Sequence, residues 1–175
     1  MGKVISIMIG GILMNLYMTS GTPEFMETIK KKHSNEELFL LHGVGNSVLI
    51  HETTGKSIFQ APRKYEVLES YGNFTDKGYF VLQHIPISDE GRPIFEFQYT
   101  KLTSTVEKEP GFIALRVLKP LKSDTYIILT EWSGPNSFDV WVKSNSLNFD
   151  HVADKQHIFT SAPYISTYKS TTAED

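Results

Sequence analysis

From Met14 onward, apolar and polar positions come in short runs whose period switches between two and about 3.6, with glycine, proline and asparagine between the runs. Leu16–Thr19 predicts a short strand closed by Ser20-Gly21. Thr22-Pro23-Glu24 opens a helix, with Thr22 as N-cap and Pro23 at the first helical position. Phe25, Met26 and Ile29 supply its apolar face, and Lys30 to Lys32 stand at its C-terminal end, where the helix dipole favours cations. Leu38–His42 and Val48–Glu52 read as strands around a Gly43-Val44-Gly45-Asn46 turn. After the turn at Thr53-Thr54-Gly55, a short strand is predicted at Ser57–Gln60, and Ala61-Pro62 leads into a helix near Lys64–Ser70.

A second unit follows Tyr71-Gly72-Asn73. Tyr79–Ile87 is a strand of aromatic and branched residues. Asp89–Ser104 reads as one helix, with Asp89 as cap and Phe95, Tyr99 and Leu102 at helical spacing. Phe112–Leu118 and Tyr126–Trp132 are antiparallel strands joined through Pro120 to Asp124. Pro135–Val142 is a helix, Leu147–Ala153 a further helical segment, and Tyr164–Tyr168 a closing strand. The order β-α-β-β-α-β is ferredoxin-like. The first unit reads β-α-β-β with a shorter remainder. The fold class is therefore α+β: a ferredoxin-like domain at 73–170, preceded at 14–72 by a smaller, truncated ferredoxin-like half and followed by a tail at 171–175. No sequence repeat links the two units, and no low-complexity segment occurs.

Composition narrows the chemistry. Forty per cent of the 175 residues are hydrophobic and 21% are charged, enough apolar surface to order the chain. Seventeen Lys+Arg against 20 Asp+Glu leave a net charge of −3, and no basic cluster points to nucleic acid. The absence of cysteine removes disulfides, thiolate nucleophiles, zinc thiolates and iron–sulfur clusters, and fits a reducing, cytoplasmic setting. Residues 1–13, MGKVISIMIGGIL, hold an apolar run of about ten residues, where a membrane span needs roughly 20. A signal peptide is a second reading, with Lys3 as its charged region, but no A-x-A-like site follows. In the third reading, Gly10-Gly11 is encoded by GGN-GGN just upstream of Met14, where a bacterial ribosome-binding sequence sits. The expectation adopted is this third one, with translation starting at Met14.

Few residues carry candidate chemistry. His151 lies four residues after Leu147 on the same helical face and ten after Trp141. A neutral imidazole is the commonest axial ligand of haem iron, and a flat aromatic can pack on a macrocycle. Taken singly, the histidine reads equally as a surface residue and the tryptophan as core. Gln83-His84 lies on the first strand of the second unit, where alternation sends the two side chains to opposite faces. Gln83 either faces solvent or points an amide into a pocket over the sheet. His33, His42, His51 and His157 have no partners at ligand spacing and read as structural. No G-x-S-x-G elbow, Walker loop or G-x-G-x-x-G is present, which disfavours nucleotide-dependent chemistry.

The segment EPGFIALRVLKPLKSDTYIILTEW (Glu109–Trp132), followed by Trp141 and His151, resembles haem-degrading monooxygenases of the IsdG/HmoB type in the antibiotic biosynthesis monooxygenase (ABM) superfamily. The stretches VLIHETTGKSIFQAPRKYEV (Val48–Val67) and GRPIFEF (Gly91–Phe97) are similar to the staphylococcal TRAP signalling protein, which resembles the N-terminal part of the two-part bacillar enzymes. The resemblance implies a haem between sheet and helices, with His151 as proximal iron ligand and Trp141 packed against the porphyrin. It places Gln83, one methylene longer, where the family has an asparagine that hydrogen-bonds the distal oxygen ligand. It further implies ring opening with O2 and electrons from an external donor, since no reductase or flavin motif is present, and release of iron. Family enzymes pair two such domains as a dimer; here the N-terminal half covers the second surface, so a monomer is expected. Two other readings stay open: a haem-binding or TRAP-type signalling-associated protein without turnover, and a cofactor-independent ABM oxygenase acting on an aromatic substrate.

Overall fold

The computed structural model describes residues 8–9, 12–99, 102–145 and 158–170. A two-residue ribbon, β1 (Met8–Ile9) against β2 (Ile12–Leu13), comes first. The first half then runs β3 (Asn15–Gly21), α1 (Pro23–Lys32), β4 (Leu38–His42), β5 (Ser47–Thr53) and β6 (Arg63–Tyr71). The second runs β7 (Tyr79–Pro86), a 3-10 turn at Asp89–Gly91, α2 (Arg92–Tyr99), α3 (Leu102–Val106), β8 (Phe112–Pro120), β9 (Thr125–Trp132), α4 (Pro135–Asn145) and β10 (Tyr164–Ser170). Among the described residues, no helix is long and apolar enough to cross a bilayer.

Strands β3 to β10 close into one antiparallel barrel in the order β10-β4-β5-β3-β6-β8-β9-β7. Numbered within its own half, each set of four strands lies in the order 2-3-1-4, the ferredoxin-like arrangement. The first half is therefore not short of strands, and the expected truncation is corrected. It lacks only a second helix, because residues 54–62 between β5 and β6 form bends and coil. The halves are sewn at two seams: β6 pairs with β8 from Tyr65↔Pro120 to Tyr71↔Leu115, and β10 pairs with β4 at Lys169↔His42 and Ser170↔Leu41.

Three further expectations are corrected. Lys64–Ser70 is not helical but lies within β6. A bulge between Val67 and Glu69 turns Val67 into the barrel and Leu68 outward, so one strand buries adjacent residues and mimics a helical spacing. Ser57–Gln60 is not a strand; the Phe59 N–H donates to Ser57 Oγ at 2.9 Å in a local turn. The single helix expected from Asp89 is divided into the 3-10 turn, α2 and α3, and its cap is Ser88, whose Oγ accepts from Gly91 N–H. By contrast Thr22 caps α1 as expected, accepting from the Phe25 N–H at 3.2 Å, a contact that contributes about 1 kcal/mol.

Strand alternation sorts the core into layers. Leu16, Met18, Val48, Ile50, Phe80, Leu82, Ile127 and Leu129 fill the barrel. Outside the first half, Tyr17, Leu38, Leu40 and Leu49 pack under Met26 of α1. Outside the second, Val81, Ile85, Leu115, Val117, Tyr126, Ile128 and Trp132 meet Phe95 and Tyr99 of α2, Leu102 and Val106 of α3, and Phe138 and Trp141 of α4.

Candidate functional site

The helix-covered face of the second half gathers two of the three residues singled out from the sequence. Gln83 sits in the middle of β7, opposite Ile128 of β9 and Ile165 of β10. Its neighbours of the same parity, Val81 and Ile85, belong to the cluster under the helices, so its side chain shares that face. Gln83 is 2% exposed, which decides against the solvent-facing reading. Its carbonyl oxygen Oε1 is buried with no hydrogen-bond partner among the described residues. An amide end left so costs about 1–3 kcal/mol, and a half-turn of the amide would present its NH2 donor at the same point.

Trp141 is fully buried on the opposing side of this layer, its ring centroid 5.4 Å from Trp132 and 6.2 Å from Phe138. The helix presents it because Phe138 and Trp141 are three residues apart and fall on one face. Phe95 continues the aromatic wall, stacked on Tyr99 at 4.6 Å and lying 4.5 Å from Tyr126. Burial pushes the Tyr99 hydroxyl up to about 12, so it stays protonated. His151 lies outside the described residues. The chain before it ends in α4, and the chain after it returns at Ile158, whose carbonyl accepts from Ser88 N–H at 2.7 Å. Ile158 is itself a member of the cluster beneath the helices.

A polar group on this face escaped the sequence reading. The Tyr126 hydroxyl donates to Glu96, and Lys119 Nζ lies 3.3 Å from the same carboxylate, with the Arg92 guanidinium 5.5 Å from the Tyr126 ring centroid. Burial and the Glu96 carboxylate both raise the Tyr126 pKa. Only the alternation that places Tyr126 beside Ile128 on the helix-covered face hinted at it.

The other described histidines have structural roles. His42 pairs with Ser47, and His51 Nε2 lies 3.0 Å from Glu36 Oε1. His84, sent to the barrel side of β7, lies 2.8 Å from Ser166 Oγ and stacks on Tyr164. His33 forms the C-cap of α1, and His157 lies outside the described residues. Among the described residues, no group of three His, Cys, Asp or Glu side chains is arranged to hold a metal ion.

The model of the family described as Antibiotic biosynthesis monooxygenase matches residues 78–153. A Heme-degrading monooxygenase of Listeria monocytogenes is 27% identical over 129 residues, 74% of this chain and 77% of that protein. A Signal transduction protein TRAP of Staphylococcus epidermidis is 27% identical over 158 residues, 89% of this chain and 95% of that protein. The structure of a major regulator of staphylococcal pathogenesis has the same fold, with a TM-score of 0.83 at 24% identity over 91% of this chain and 100% of that one. Residues 78–153 thus match the antibiotic biosynthesis monooxygenase family model, on a ferredoxin-like α+β fold.

Proposed function

We propose that the protein is a haem-degrading monooxygenase, acting in the cytoplasm as a monomer. The observation that carries this reading is the unpartnered amide oxygen of Gln83, in a side chain held at 2% exposure on an aromatic and aliphatic face. A flat, largely apolar substrate that brings a small polar reactant with it suits such a face. The Listeria relative supports haem as that substrate.

His151 would hold the iron through a neutral imidazole nitrogen, Trp141 would bound the ring, and Gln83 would steady dioxygen by a hydrogen bond. When bound, haem supplies the oxygen chemistry that opens its own ring and frees iron, with O2 and electrons from an external donor. The chain's part is to bind, to orient and to keep the face dry. Val81, Ile85 and Ile128 exclude water around Gln83, so its hydrogen bond acts at low dielectric. The described residues that flank His151 in sequence, Trp141 of α4 before it and Ile158 after it, both belong to this same layer. Mass spectrometry of the tetrapyrrole after one turnover, with free iron measured beside it, tests the reading: a ring-opened product with matching iron supports it, and intact haem overturns it.

A second reading is a haem-binding or signalling-associated protein without turnover. Gln83, in the place of the family's asparagine, favours it, because a misplacement of about 1 Å can cost roughly 10²-fold in rate. So does the similarity to TRAP, which spans more of the chain than the Listeria relative does.

A further inference from the structure

Because the two halves carry their strands in one order, each position of β7 has a counterpart on β3. Tyr79, first in β7, pairs with Trp132, last in β9; Asn15, first in β3, pairs with Thr53, last in β5. Four residues on, Gln83 pairs with Ile128, and Thr19 pairs with Leu49. Thr19 is thus the register counterpart of Gln83. It shares the outward parity of Tyr17, which packs under α1, while Leu16 and Met18 point into the barrel.

The second half covers its outer face with α2, α3 and α4. The first has α1 alone, since residues 54–62 form no helix. A groove of about 430 Å3 opens between α1 and the stretch 58–61, and Thr19 is part of its lining. Phe25 and Ile29 line it from the helix, and Ile58 and Phe59 from the opposite side. Phe25 is 60% exposed, a large ring left uncovered in a concavity. Lys32 and His33, at the end of α1, also line the groove, and no carboxylate does.

We infer that this groove is a second small-molecule site and that its ligand is a carboxylate with a flat apolar body, the size of a two-ring aromatic acid. The volume falls in the range of small-molecule pockets, about 300–1,000 Å3. The apolar body covers Phe25 and Ile29, and the carboxylate sits at the cationic end beside Lys32. The site is the topological twin of the face around Gln83, and it stands independently of the haem reading.

Isotope-labelled full-length protein is titrated with 2-naphthoate and, separately, with 2-naphthylmethylamine, and backbone amide shifts are followed by NMR. Naphthoate is expected to give saturable shifts at residue 19, at 25–33 and at 58–61, with a Kd at or below about 1 mM. The amine is expected to bind about fivefold more weakly, and Lys32→Glu, an exposed change that leaves the fold intact, to remove that preference. Thr19→Phe fills the groove and is expected to abolish saturation. Shifts that never saturate, that fall only in the second half, or that are equal for the two probes overturn the inference.

Discussion

Arg116 of β8 and Glu52 of β5 form a two-point ion pair across the barrel, with Nε to Oε2 at 2.7 Å and Nη2 to Oε1 at 3.2 Å. Arg116 Nη1 donates to the Tyr71 and Leu115 carbonyls at 3.1 and 2.8 Å, and the guanidinium lies 4.6 Å from the Phe74 ring centroid. Alternation puts Arg116 between Ala114 and Leu118 inside the barrel, and Glu52 two residues past Ile50 on the same side. The pair ties the second half to the first through the core that both share.

Removing one partner leaves the other charge stranded. Arg116→Met is expected to destabilise the protein by about 3 kcal/mol, and adding Glu52→Leu to recover most of that loss. Urea unfolding of the single and double variants checks it. A single-variant loss under about 1 kcal/mol would mean the pair is incidental.

His84 gives acid sensitivity with a defined sign. Burial first, and then the Arg63 charge, hold it down at about 4 against an ordinary 6.5. The unfolded chain therefore takes up the proton first, and stability is lost as pH falls from about 6.5 to about 4, by about 3 kcal/mol in all. Glu69 and Glu131, whose pKa values burial raises, act with the opposite sign as they protonate. Comparison with His84→Gln isolates the histidine: unfolding curves across that window should flatten in the variant, and an unchanged slope would remove His84 as the cause.

Much of this architecture was legible in local signals. Thr22-Pro23 marked the start of α1, and the turns at residues 43–46 and 120–124 marked two hairpins, because capping and turn chemistry act within four residues. Barrel closure was not legible, since the β6–β8 and β10–β4 seams join residues far apart in sequence. Nor was β6, where a bulge and burial on both sides erase the two-residue alternation. Gln83 was found by residue type and position, but its burial depended on helices packing over β7, which no local pattern encodes.

Gln83 sets function against stability. Replacing the buried amide by an apolar isostere removes an unsatisfied polar group, so Gln83→Leu is expected to leave stability unchanged or raise it by about 1 kcal/mol. Haem turnover should fall in the same variant and in Gln83→Ala, while Gln83→Asn should preserve or raise it. Thermal unfolding and turnover measured together check both halves of this statement; an unchanged rate in Gln83→Ala would take the residue out of the reaction.

The closed barrel uses the strand edges of both halves, leaving neither four-stranded sheet open for a second copy. A monomer is therefore expected by light scattering, with and without haem. An obligate dimer would show that another surface drives association.

The most direct test of the haem reading is a haem titration of the purified protein by visible absorbance, followed in the same cuvette by ascorbate with catalase present. The account expects a saturable one-to-one Soret shift, altered in His151→Ala, and then decay of the band with release of iron. A Soret band that forms and then persists would contradict degradation, and no shift at all would contradict haem binding itself.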